Sequence, residues 1–67
     1  MEYKSDLDMA LRALKDEVEG VKEYGEMVEY CENPELKSIA TKIKNDEKQH
    51  ATLIMQWVSK NIQGQLG

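Results

Sequence analysis

From Leu7 to Cys31 the apolar residues return with a heptad-like rhythm. Leu7, Leu14, Val21 and Val28 form one row, and Ala10, Glu17, Tyr24 and Cys31 form the row beside it. That period is the mark of an amphipathic helix. Ser5 stands where an N-cap belongs, and Asp6 and Asp8 fall in the first turn, where the helix dipole favours negative charge. The stretch "ENPE" then breaks the rhythm. Asn33 can cap a new helix and Pro34 suits its first position. The second helix carries Leu36, Ile39, Ala40, Ile43, Glu47, His50, Leu53, Ile54 and Trp57 on its apolar stripe, and "NIQGQLG" after Lys60 reads as fraying and a stop. The expected elements are helix one over about 5–32 and helix two over about 34–61. The break is too short to send the second helix anywhere but back. The chain is therefore expected to be all-α, residues 1–67 forming one antiparallel two-helix hairpin.

Both stripes have a defect. Glu17 interrupts the first, and Glu47 and His50 interrupt the second. A carboxylate on a seam between helices is costly unless something pairs with it. Folding the hairpin at Asn33-Pro34 makes the numbers of opposed residues sum to about 67, which sets Glu17 against His50, Leu14 against Leu53 and Ala10 against Trp57. The misplaced polar residues then meet at one level. Glu47 and His50, at i and i+3, share a helix face with Cβ atoms about 5–6 Å apart. Two carboxylates and an imidazole converging in an apolar seam make a metal site of hard and borderline ligands, suited to iron, manganese or zinc.

Length and charge narrow the partners. At 67 residues the chain is too short to bury a sizeable core alone, and its single cysteine, Cys31, allows no internal disulfide. Pairing two hairpins about a two-fold axis would bury both stripes in a four-helix bundle. It would also assemble one Glu from each of two helices and a Glu-x-x-His from each of the other two, the inventory of a di-metal carboxylate site. Thirteen acids against nine bases leave a net charge of −4, which argues against nucleic acid or an anionic membrane and favours cations as ligands. No stretch approaches the roughly 18 apolar residues of a membrane span. No basic segment followed by an apolar run opens the chain, so a cytoplasmic protein is expected.

"DEVEGVKEY", followed after a short turn by "NPELKSIATKIKNDEKQHATLIMQWV", resembles the ferritin-like two-helix proteins, and among them the encapsulated ferritins, over roughly residues 5–60. In that family a first-helix glutamate seven residues before a tyrosine is an iron ligand, a pattern that falls on Glu17 and Tyr24, and the second-helix Glu-x-x-His falls on Glu47 and His50. The resemblance implies a di-iron ferroxidase centre across a homodimer interface. There Fe(II) would be oxidised to Fe(III) by oxygen in iron storage or detoxification, with dimers associating further into a ring such as a decamer. It also implies that Asp16 and Glu19 form the site where metal enters; such proteins are targeted by a C-terminal extension into an encapsulin shell, a nanocompartment that would be a further partner beside the chain's own copies. Two departures stand out: Glu23 occupies the place where such proteins often carry tryptophan, and the terminal "GQLG" is only faintly like a targeting peptide.

The remaining features have plainer readings. Tyr24 is read as core, its hydroxyl within reach of a ligand carboxylate. Trp57 against Ala10 is large-against-small packing. Gly20 and Gly25 each weaken a helix interior by about 1 kcal/mol relative to alanine, to be explained by close helix approach near the metal or by tolerance within an oligomer. Against the ferroxidase stands an alternative of another class: a non-catalytic helical-hairpin module for oligomerisation, with Glu17 and His50 as a buried pair or as ligands of a structural metal.

Overall fold

The computed structural model describes the backbone of residues 5–66 and the side chains of residues 5–61. Two helices are present, α1 over Asp6–Tyr30 and α2 over Pro34–Leu66, and the described residues contain no strand. Local chemistry sets three of the four helix ends. The Asp8 N–H donates to Ser5 Oγ at 3.2 Å, so Ser5 caps α1 with extended backbone. At the far end the Cys31 N–H reaches the Met27 carbonyl at 2.9 Å, but Cys31 itself is extended at φ −72°, ψ 145°, and the helix stops there. Asn33 Oδ1 accepts from the Leu36 N–H at 2.9 Å, and Pro34, whose missing N–H costs nothing at the first helical position, begins α2.

The fourth end differs from expectation. α2 runs on to Leu66 instead of stopping near residue 61. Gly64 ends a helix well only in a left-handed conformation, and no described glycine has positive φ. It is carried as an ordinary helical residue at a cost of about 1 kcal/mol. Gly67 and the side chains of residues 62–66, the stretch likened to a targeting peptide, lie outside the described residues.

The helices pack antiparallel, as the contacts of Glu17 with His50, Gly20 with Glu47 and Gly25 with Lys44 require. The first two pairs each sum to the expected 67. On α1 both expected rows, Leu7, Leu14, Val21 and Val28 with Ala10, Glu17, Tyr24 and Cys31, are half-buried.

On α2 the seam is offset from the expected stripe. Its buried residues are Ala40, Ala51 and Val58, with Ile43, Glu47 and Ile54 half-buried. Ile39, Leu53 and Trp57, which the sequence placed on the stripe, are exposed, Leu53 at 65% and Trp57 at 41%. At 100° per residue, Ile39 and Trp57 lie about 80° round the helix from Glu47 and Leu53 about 120°. α2 therefore has two apolar rows: a narrow one of mostly small residues that lets the helices approach, and a broader one of large residues that α1 does not cover.

Candidate metal centre

The centre forms where the polar defects of the two seams coincide. Glu17 enters from the middle of α1, and Glu47 and His50 from successive turns of α2. One ligand atom from each of the three lies within 4.8 Å of the others. The burial is graded: Glu17 and Glu47 are half-buried, while His50 is exposed. His50 stands between the covered row of α2 and the uncovered one, at the border with solvent.

The electrostatics are unsatisfied. Glu17 Oε2 is buried and has no hydrogen-bond donor among the described residues. His50 Nδ1 is its nearest basic atom, 3.5 Å away, beyond the range of a well-formed hydrogen bond. The Glu47 carboxyl is held above the usual carboxylate range. The main cause is the neighbouring Glu17 carboxyl, with which a protonated Glu47 could hydrogen-bond; burial and repulsion from Glu17 add to it, His50 opposes it, and Asp46 contributes slightly in the same direction. Two carboxyls packed this closely, with a buried Glu17 oxygen that no described donor satisfies, mark a place short of positive charge. A di- or trivalent cation would supply that charge, and hard oxygen with borderline nitrogen donors suits iron, manganese and zinc.

The other expected site residues are placed less closely. Asp16 and Glu19 flank Glu17 in sequence, but their side chains are exposed on α1 and outside the three-residue cluster. Tyr24 is half-buried one heptad after Glu17, and among the described residues no hydrogen bond joins its hydroxyl to either carboxylate. Asp46 was not singled out in the sequence. Its adjacency to Glu47 is the signal that could have found it. No helix among the described residues is long and apolar enough to cross a membrane.

Residues 1–65 match the model of the EncFtn-like family. A ferritin-like protein of Thermotoga maritima is 29% identical over 59 residues, which take in 88% of this chain and 52% of that protein, so the chain spans about half the length of this relative. No solved structure matches the chain.

Proposed function

The chain belongs to the EncFtn-like family, and on that premise we propose that it is a ferroxidase whose di-iron centre is completed by two copies of the chain. Glu17, Glu47 and His50 of each copy would hold the metal. The carrying observation is the convergence of these three donors within 4.8 Å, around a buried Glu17 oxygen that no described donor satisfies. Iron bound there supplies the redox chemistry, each Fe(II) giving up one electron to dioxygen and becoming Fe(III). The protein's part is to hold and to tune. Anionic carboxylates stabilise the higher charge, so the donor set favours the oxidised ion. Ligation requires Glu47 as a carboxylate and His50 as a neutral imidazole.

The need for a second copy follows from burial. The buried apolar side chains among the described residues are Ala40, Ala51 and Val58. Each large side chain such as Leu53 that remains in water forgoes about 1.5–3 kcal/mol. The uncovered row of α2 adjoins His50, so a second hairpin laid on it would cover apolar surface and bring a second set of ligands to the first, giving a four-helix bundle. Association of such dimers into a ring, within an encapsulin shell, extends the same reading on family membership alone.

Anaerobic titration of metal-free protein with Fe(II), with the mass followed in solution and air then admitted, tests the proposal. Saturation at one iron per chain, with dimer formation and ferric absorbance rising faster than in buffer, is expected. No saturable binding, or oxidation at the buffer rate, would overturn it.

A further inference from the structure

The two glycines inside α1 face α2 in different ways. A Cβ built on Gly20 would lie 2.5 Å from Glu47 Oε2, 3.2 Å from Cδ and 3.5 Å from Cγ, whereas one on Gly25 would meet only Lys44 Cε, at 3.9 Å. The second distance is an ordinary contact, and the first is shorter than non-bonded atoms tolerate. The crowding atoms are the end of a flexible side chain, so a methyl at position 20 would be accommodated by the Glu47 carboxylate turning away, not by the helices parting.

We propose that Gly20 is a positioning residue for the metal centre: its missing side chain is the space in which the Glu47 carboxylate lies against α1, within reach of Glu17. The inference rests on the metal-centre reading for its functional meaning. Glu47 reaches the seam from α2, and Glu17 and His50 already occupy the adjoining level. What keeps the Glu47 carboxylate inward is the gap over Gly20, one helical turn beyond Glu17 on the same strip of α1. Gly25, about one and a half turns further on, has no such occupant. Its presence is a tolerated weakness of the helix, so of the two explanations offered for the glycines each holds at one position. A ligand shifted by a fraction of its own length is enough to loosen a metal centre, and residues that orient ligands typically account for about 10–100-fold in metal affinity.

The experiment compares parent, Gly20→Ala and Gly25→Ala, and repeats the position-20 change in a Glu47→Ala background. Two quantities are read on each: anaerobic Fe(II) affinity where Glu47 is present, and the melting temperature of the metal-free protein. Alanine is the better helix former, so Gly25→Ala should raise the melting temperature and leave affinity unchanged. Gly20→Ala should weaken Fe(II) binding about 10–100-fold and raise the melting temperature by less than Gly25→Ala does, the full rise returning only when Glu47 is alanine. The inference is overturned if Gly20→Ala binds iron as tightly as the parent, or if its thermal gain is the same with and without Glu47. If the parent itself binds no iron, the ferroxidase reading fails, and the melting comparison alone then decides whether Gly20 places Glu47.

Discussion

Glu17 Oε2 and His50 Nδ1 face each other across the hairpin at 3.5 Å, close enough to share an ion and too far for a good hydrogen bond. The pair is thus not the reason for Glu17. Replacing it with leucine would continue the row Ala10, Tyr24 and Cys31 in apolar residues and remove the oxygen that lacks a donor. Glu17→Leu should stabilise the metal-free protein by about 1–3 kcal/mol, seen in denaturant melts, while Fe(II) oxidation falls to the buffer rate. A variant that is less stable, or that oxidises iron at the parental rate, would show that Glu17 serves the fold instead.

The raised proton affinity of Glu47 gives a second prediction. A carboxyl raised in the folded state adds stability in its protonated form, complete below its unfolded value near 4.5 and lost as the pH climbs through the folded one. Glu47→Gln stays neutral throughout. In metal-free melts the Gln variant should therefore overtake the parent in stability as the pH rises above about that range. Iron affinity of the parent should change with the opposite slope, because the metal must displace the proton. Calorimetric titration in buffers of different ionisation enthalpy would record the released proton. A parent and variant whose melting temperatures run parallel across the pH series would refute the assignment.

Leu53, as exposed as it is in the hairpin, should tolerate substitution within about 0.5 kcal/mol if the hairpin is the whole structure. In a four-helix bundle Leu53→Asp should instead cost about 1.5–3 kcal/mol per chain and lower the mass in solution. Sedimentation velocity together with thermal melting distinguishes the two.

Asn33 offers a contrast, since its cap on Leu36 acts at the hairpin turn, away from Glu17, Glu47 and His50. Asn33→Ala should lower stability by about 1 kcal/mol and leave the stoichiometry of iron binding unaltered. A changed stoichiometry would mean that the cap also fixes the alignment of α2 against α1.

Much of this architecture was legible in the residues. The rows of α1 are plain because large and β-branched side chains mark them, and Asn33-Pro34 fixes the turn from which the meeting of Glu17 with His50 follows. The seam of α2 was harder to see, for a physical reason. It is built largely from Ala40, Ala51 and Val58, chosen for close approach, and small side chains carry little hydrophobic signal. The louder row of Ile39, Leu53 and Trp57 belongs to a face that the hairpin leaves open. Glu47 was expected on the seam and lies there. His50 proved to be exposed, because the expected stripe merged two rows and His50 stands between them. The continuation of α2 through Gly64 was not legible, since a glycine stops a helix by its conformation and not by its identity.

The hairpin measures 49 × 25 × 13 Å. Its least dimension is about the diameter of one helix with its side chains, so the molecule is a plank with no inside. In a single hairpin an ion reaching the Glu17 level would cross only a side chain's depth. A plank of this thickness can form part of a wall, but it cannot be a vessel.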